Sequence, residues 1–200
     1  EAAFRHPGDP PMSKLTTALR EIVVANRILA REDVVDAFGH VSVRHPDNPG
    51  HYLMARSRSP ELVTMDDIME FTLQGDVVGD DDRKPYAERH IHGGIYEARP
   101  GVHSVVHNHS QAVIPFSVTQ TPLRPLMHVT GVMGSTVPVW DIEDRFGGTS
   151  LLVTDMAQAR DLAAAMGDAT VVLMRGHGCA IAAAGIRQAV LTAIYTQVAT

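Results

Sequence analysis

Apolar residues recur at helical spacing early in the chain and alternate with polar residues farther along. From Ser13, a residue type that often caps helices, apolar positions recur every turn and predict an amphipathic helix. Residues 39–44 and 52–55 alternate on either side of a turn rich in proline and glycine, which predicts an antiparallel hairpin. Residues 68–73 predict a further strand, so we expect a largely antiparallel sheet.

The second half of the chain mixes helical patterns with short apolar runs. Helices are predicted over residues 86–99, 110–118, 155–166 and 186–200, and strands over residues 102–109 and 170–174. The proline-rich residues 1–12 predict an extended N-terminal arm, and residues 13–200 predict a single domain. Its last helix has no C-cap signal, so we expect the sequence to be truncated at the C-terminus.

Composition and charge narrow the class of protein. A hydrophobic content of 44% in 200 residues suits one α/β domain with a substantial core. A net charge of −6 without a basic stripe argues against a nucleic-acid partner, and interrupted apolar runs argue against a membrane segment. Cys179 is the only cysteine, which is typical of a reducing, cytoplasmic location.

Candidate chemistry begins with His107 and His109, which close an apolar alternating run. On an extended strand these two side chains share one face, so they predict half of a metal site or, alternatively, a solvated pair. His177 lies between two glycines after the strand over 170–174. Three histidines at strand ends predict a catalytic metal site, because such sites keep three protein ligands and one open position.

Glu88 is the candidate general acid or base. It is predicted to lie on a helix one turn before His92, and a short loop returns this helix to the strand that carries His107. Its carboxylate could reach the metal cavity, or it could be a solvated residue that pairs with Arg89 or His92.

Several blocks of sequence together resemble the class II aldolase/adducin family. They are Gly39-His-Val-Ser-Val-Arg44, Lys84-Pro-Tyr-Ala-Glu88 with His92, Val105-Val-His-Asn-His-Ser110 and Arg175-Gly-His-Gly178. The resemblance implies a three-layer α/β/α fold around a mainly antiparallel sheet, usually in a tetramer with active sites between subunits. It also implies one divalent ion held by His107, His109 and His177, with Glu88 moving the proton.

Two departures from the sugar-phosphate aldolases of this family indicate a different substrate. His40 replaces the family's asparagine, and the loop over residues 55–61 lacks the glycines that let backbone amides approach a phosphate. Arg56 and Arg58 in that loop, with His40, are candidate substrate-binding residues for a carboxylate, or the arginines could be solvated or pair at an interface. In these two features the sequence resembles the family's branch of aromatic or pyridine dicarboxylate decarboxylases, which includes 3-hydroxy-2-methylpyridine-4,5-dicarboxylate decarboxylase.

The preferred interpretation is a metal-dependent carbon–carbon lyase that decarboxylates a small hydroxylated aromatic or heteroaromatic acid. His128 aligns near a tyrosine that aldolases lend to a neighbouring subunit, so it is a candidate second proton donor or a structural residue. Zinc or manganese is the expected ion, with iron or cobalt as alternatives. Two other functions remain open: an aldolase for non-phosphorylated or keto-acid substrates, and a non-catalytic adducin-like scaffold.

Overall fold

The computed structural model describes residues 12–200, so all of the expected N-terminal arm except Met12 lies outside the described residues. Strands β1 to β7 are His40–Arg44, His51–Ala55, Ile68–Thr72, Ser104–Asn108, Val139–Trp140, Val171–Met174 and Gly178–Ala183. Helices α1 to α6 are Lys14–Arg31, Arg89–Ala98, Ile114–Val118, Glu143–Phe146, Met156–Met166 and Ile186–Val198. Short 3-10 helices span Pro60–Leu62, Met65–Asp67 and His128–Met133.

The strands form one sheet in the order β3-β2-β1-β4-β7-β6-β5. Neighbouring strands are antiparallel except for β5 and β6, which are parallel. The mainly antiparallel sheet is therefore confirmed. Strand β4 lies at its centre, where His107 pairs with His40 of β1 on one side and Ala180 of β7 on the other. This register places two of the predicted site histidines on adjacent strands.

A layer of helices covers each face of the sheet, which confirms the predicted three-layer α/β/α fold. On one face, α1 and α6 pack over a core that includes Val41, Val106 and Ile181. On the other, α2 and α5 pack over a core that includes Val105 and Ala182. Within residues 12–200, no helix combines the length and apolar character that a membrane crossing requires.

Two consecutive glycines hold α2 tightly in its layer. A Cβ added to Gly93 would lie 2.2 Å from the carbonyl oxygen of Leu73, and one added to Gly94 would lie 2.7 Å from that of Ala159. Real Cβ atoms do not approach so closely, so only glycine permits this contact with α5 and the end of β3. Since Glu88 directly precedes α2, the same contact fixes the position of a candidate site residue.

Several predicted element boundaries were wrong. The helix expected over residues 86–99 begins at Arg89, and only Ile114–Val118 is helical within residues 110–118. Pro115 favours the first turn of a helix, because it has no N–H to donate to an earlier carbonyl. Strand Gly178–Ala183 was not predicted, since its alanines carry little β-strand signal and its pairing with β4 and β6 decides its conformation.

Candidate metal centre and active site

Three imidazole rings meet where β4 ends and where β6 turns into β7. His107 belongs to β4, His109 follows it directly, and His177 lies in the turn before β7. The Nε2 atom of His109 lies 3.0 Å from that of His107 and 3.1 Å from that of His177. The structure therefore brings together all three predicted ligands.

The second ring nitrogen of each histidine, Nδ1, lies beside an oxygen atom. These oxygens are the Cys179 carbonyl at 3.1 Å from His107, the Leu151 carbonyl at 2.9 Å from His177, and the Asp36 carboxylate at 3.2 Å from His109. Because an oxygen of this kind accepts a hydrogen bond, Nδ1 carries the proton and Nε2 is left with a lone pair.

Three lone pairs that converge in this way repel one another unless a cation lies between them. Nitrogen ligands bind zinc at about 2.0–2.1 Å, which places them about 3.3 Å apart in a tetrahedral site. The observed separations of 3.0 and 3.1 Å are close to that value. The donor set and its fixed outer hydrogen bonds therefore fit a divalent metal ion.

Glu88 lies at the edge of the three imidazoles and is only 5% exposed. Its Oε1 accepts a hydrogen bond of 2.9 Å from the N–H of Val153. Its Oε2 lies 3.5, 3.8 and 3.4 Å from the Nε2 atoms of His107, His109 and His177. The carboxylate thus reaches the cavity, although Glu88 stands just before α2 and not within a helix as predicted.

Negative charge favours a cation at this position. Burial raises the pKa of the Glu88 carboxyl, but the three imidazoles that face it outweigh burial and hold this pKa well below its ordinary range. Burial lowers the pKa of His109, but the carboxylates of Glu88 and Asp36 outweigh that effect and raise it. Two carboxylates therefore face three imidazoles, and a divalent cation would balance their charge.

A second polar cluster lies beside the first, under α2. His40 is 1% exposed, and its ring lies 5.2 Å from that of His107 and 4.7 Å from that of Tyr86, centre to centre. Its Nδ1 lies 2.7 Å from Nε2 of His92. Among residues 12–200, Nε2 of His40 has no hydrogen-bond partner.

The two arginines of the loop after β2 share one buried carboxylate. Nε of Arg56 donates to Asp67 at 2.7 Å, and an Nη atom of Arg58 donates to the same oxygen at 3.3 Å. Burial raises the pKa of Asp67, but hydrogen bonds from Arg56 and Thr64 outweigh it and lower this pKa to about 2. Nε of Arg58 is buried without a partner among the described residues. Tyr86 donates its hydroxyl proton to the Arg58 carbonyl.

Comparison with known proteins identifies the family. The sequence profile of the Class II Aldolase and Adducin N-terminal domain matches residues 20–200. The chain belongs to the class II aldolase and adducin family. A solved aldolase II superfamily protein from Pseudomonas syringae has the same fold, with a TM-score of 0.79 and 22% identity over 96% of this chain and 75% of that one.

Two curated relatives of this family member are decarboxylases. Decarboxylase tropJ of Talaromyces stipitatus is 34% identical over 89% of this chain and 72% of its own length. The 3,4-dihydroxyphthalate decarboxylase of Arthrobacter keyseri is 31% identical over 88% of this chain and 73% of its own length. The resemblance to the decarboxylase branch is therefore confirmed.

Not every predicted site residue of this class II aldolase family member lies beside the histidines. His128 is exposed at the start of a 3-10 helix, and within residues 12–200 its side chain makes no hydrogen bond or ion pair. Arg56 and Arg58 contact Asp67, and the Tyr86 ring that packs against His40 bonds the Arg58 carbonyl through its hydroxyl. The roles of these residues, and that of His40, stay predictions.

The sequence interpretation missed residues that hold the site in place. Asp36 orients His109, and Ser42 and Tyr96 extend the contact between His40 and His92. The sequence did contain a spacing signal for Ser42 and Tyr96. Ser42 follows His40 by two positions on a strand, and Tyr96 follows His92 by four on a helix, so each pair shares a face. Asp36 lies in a loop and offered no such pattern.

Proposed function

We propose that this protein is a divalent-metal-dependent decarboxylase of a hydroxylated aromatic or heteroaromatic carboxylic acid. The observation that carries the proposal is the convergence of three imidazole Nε2 atoms and the Glu88 carboxylate. His40 beside them and Arg58 farther away each keep a buried nitrogen, Nε2 and Nε respectively, without a hydrogen-bond partner within residues 12–200, which suits an anionic substrate. The curated decarboxylase relatives support the same reaction class.

His107, His109 and His177 would hold the ion, with zinc or manganese proposed first and iron or cobalt as alternatives. When bound, the ion would supply Lewis acidity that polarises a substrate oxygen and stabilises the electron pair left when the carbon–carbon bond breaks. The Cys179 and Leu151 carbonyls keep two of these rings in the orientation that binding needs.

Glu88 would move the proton in this reaction. The Val153 N–H holds Oε1, so Oε2 is the atom that faces the cavity. This carboxyl is ionised, so it could take the proton of a ring hydroxyl whose acidity the bound ion would raise. Glu88 would then deliver that proton to the ring carbon, the bond from this carbon to the carboxylate would break, and CO2 would leave. Solvent would return a proton to the ring oxygen.

Arg58 is the proposed anchor of a substrate carboxylate. Arg56 already uses its Nε on Asp67, whereas Arg58 keeps a buried Nε without a partner in the described part of the chain. One carboxylate between two guanidinium groups leaves one positive charge uncompensated. A carboxylate matches the planar fork of arginine, so it would satisfy both the charge and the free donor.

Assembly and location are also proposed here. We infer a homotetramer in the cytoplasm, in which His128 donates a proton to the site of a neighbouring subunit. The exposed position of His128 supports this role, because an exposed side chain can reach a second chain. The molar mass of the purified protein, measured by light scattering after size-exclusion chromatography, tests the tetramer. A monomer with full activity would contradict the role of His128.

The decisive experiment measures metal content and CO2 release in one preparation. The protein is stripped, reloaded with zinc or manganese, and assayed with hydroxylated aromatic dicarboxylates, including 3,4-dihydroxyphthalate. Retro-aldol cleavage of keto acids is assayed alongside. We expect stoichiometric metal and CO2. Metal with only aldol products would favour the aldolase alternative, and no metal after reloading would favour the scaffold.

Glu88→Gln separates metal binding from proton transfer. The amide keeps the size of the carboxylate but cannot take a proton, so we expect retained metal and a kcat about 100- to 10,000-fold lower. Arg187→Gln on the outer face of α6 is a matched control, because its side chain lies far from the histidines and pairs only with Glu21 in the described residues. Full activity of Glu88→Gln would remove Glu88 from the mechanism.

A further inference from the structure

Four buried side chains form a hydrogen-bonded row between α2, which carries His92 and Tyr96, and strand β1, which carries His40 and Ser42. His40 Nδ1 lies 2.7 Å from His92 Nε2, and His92 Nδ1 lies 2.6 Å from Ser42 Oγ. Ser42 Oγ in turn lies 2.8 Å from the Tyr96 hydroxyl. All four residues are at most 1% exposed, so water does not complete their hydrogen bonds. We call these residues the buried relay.

Counting protons shows that the buried relay has one proton too many for its own contacts. Each hydroxyl carries one proton and each neutral imidazole carries one, which makes four, whereas the row contains three contacts. Both imidazoles are fully buried and their facing nitrogens lie 2.7 Å apart, so the two rings share one proton at this contact and burial favours the neutral form of each. The extra proton must therefore point outward at one end of the row.

The two ends of the buried relay are not equivalent. With the proton outward at the Tyr96 end, two buried groups lack a partner among residues 12–200: the Tyr96 O–H, whose side-chain neighbour Ser42 then donates to it, and the lone pair of His40 Nε2. Leaving a buried donor without an acceptor costs about 1–3 kcal/mol. With the proton outward at the His40 end, only the His40 Nε2–H lacks a partner, and the His40 ring packs against His107 and Tyr86. The second arrangement leaves fewer buried groups unsatisfied.

Satisfying the Tyr96 hydroxyl sets the direction of every contact. Tyr96 donates to Ser42, Ser42 donates to Nδ1 of His92, and Nε2–H of His92 donates to Nδ1 of His40. His40 is left with its proton on Nε2.

We propose that Tyr96, Ser42 and His92 hold His40 as its Nε2–H tautomer, and that this N–H donates to a carboxylate oxygen of the substrate beside the metal centre. His92, Ser42 and Tyr96 are then positioning residues, and His40 is the group that touches the substrate. The tautomer follows from the buried relay alone. Its contact with a carboxylate rests on the proposed function.

Nitrogen-15 NMR of histidine-labelled protein tests the tautomer directly. The His40 signals are assigned by their loss in His40→Gln. We expect a proton on Nε2 of His40 and none on Nδ1, in the protein as purified. A proton on Nδ1 would overturn the proposal, whatever reaction the enzyme performs.

Ser42→Ala tests whether the buried relay sets this state. The variant removes the donor to Nδ1 of His92, so we expect His40 to show a mixture of both tautomers. Ser42→Thr restores a hydroxyl and should restore the single tautomer. Ser104→Ala is the matched control, because this buried hydroxyl donates to the Ser42 carbonyl and lies outside the row. An unchanged tautomer in Ser42→Ala would show that the row does not position His40.

Titration with benzene-1,2-dicarboxylate, which lacks a ring hydroxyl, tests the carboxylate contact. We expect the His40 Nε2–H signal to move as this anion is added. Ser42→Ala should weaken binding of the anion about three- to tenfold with unchanged metal content, the effect of losing one hydrogen bond. A His40 signal that does not move would overturn the carboxylate contact, while the tautomer assignment would stand. Absence of CO2 release with a moving His40 signal would instead count against the proposed reaction.

Discussion

Two clusters of histidines lie side by side in this protein and differ in which nitrogen atoms are occupied. In the metal cluster of His107, His109 and His177, each Nδ1 faces a fixed oxygen, and three Nε2 lone pairs meet. In the buried relay, His40 Nδ1 faces another imidazole and Nε2 has no partner within residues 12–200. The first arrangement is suited to a cation, and the second, with the tautomer proposed for His40, is suited to an anion. The same side chain can therefore serve opposite charges according to its hydrogen-bond partner.

Among the changes that test the difference between the two clusters, His109→Ala is expected to have the largest effect, on metal binding. It removes the imidazole whose Nε2 lies within 3.0 and 3.1 Å of the other two. Metal affinity should fall by more than about 100-fold, which exceeds the loss typical of outer-shell changes. Metal per chain and CO2 release measure the effect, and His103→Ala on an exposed histidine is the control. Normal metal content in His109→Ala would contradict the assigned ligands.

Gly178→Ala should disrupt the metal cluster by steric means. A Cβ at this position would lie 2.0 Å from the Asn108 carbonyl oxygen and 3.0 Å from Cα of His109. The ends of β4 and β7 must then separate, which should lower the free energy of unfolding by about 1–3 kcal/mol. Urea denaturation and metal content measure the change. Gly101→Ala, where a Cβ would meet open space, is the control, and equal stability of the two variants would refute the argument.

Asp36→Asn should have a smaller effect, because it changes the orientation of a ligand and not its identity. The Asp36 carboxylate accepts hydrogen bonds from the N–H groups of Phe38 and Gly39 and holds Nδ1 of His109. These contacts outweigh burial and lower its pKa, so it is ionised at neutral pH. Loss of the charge should weaken metal binding about 10- to 100-fold, measured by competition with a chelator. Unchanged affinity would mean that loop packing alone orients His109.

The smallest expected effect concerns the buried relay and pH. The ordinary pKa of histidine is 6.5, and burial lowers that of His92 to about 3 in the folded protein. Between these values the unfolded chain binds a proton that folded His92 does not. The free energy of unfolding should therefore fall as pH decreases through this window.

His92→Gln should reduce that slope by up to about one proton, because it removes the titrating group. Urea denaturation of metal-free protein at several pH values between the two pKa values measures it. An identical slope in both proteins would show that His92 is protonated while folded.

Much of the fold was predictable because local signals agreed with tertiary packing. Ser13 caps α1 by accepting a hydrogen bond from the N–H of Thr16, as its position before an amphipathic stretch predicted. The hairpin of β1 and β2 also formed where residues alternate. By contrast, Gly178–Ala183 became a strand only because neighbouring strands pair with it on both sides. Alanine has a low intrinsic preference for β-strands, so the local sequence does not favour that conformation.

The residues of the candidate site also fall into two groups, those that local sequence predicted and those that only tertiary packing revealed. His107 and His109 were predicted from residue type and spacing, because an alternating strand places both on one face. For Glu88, spacing left two interpretations open, and the family resemblance favoured the site. Local spacing could not predict the role of Asp36, because 73 positions separate it from His109. Only the packing of its loop against the end of β4 creates their contact.

The sequence by itself determined which donor atoms are available and that two of the three histidine ligands share one strand face. The tertiary structure alone decided which nitrogen of each ring is free. That choice depends on the group opposite the other nitrogen: the Cys179 carbonyl for His107, and His92 for His40. These partners come from distant parts of the chain, and the hydrogen bond that each one makes or accepts fixes the position of a proton. The sign of charge that each cluster is suited to bind is therefore a property of the fold.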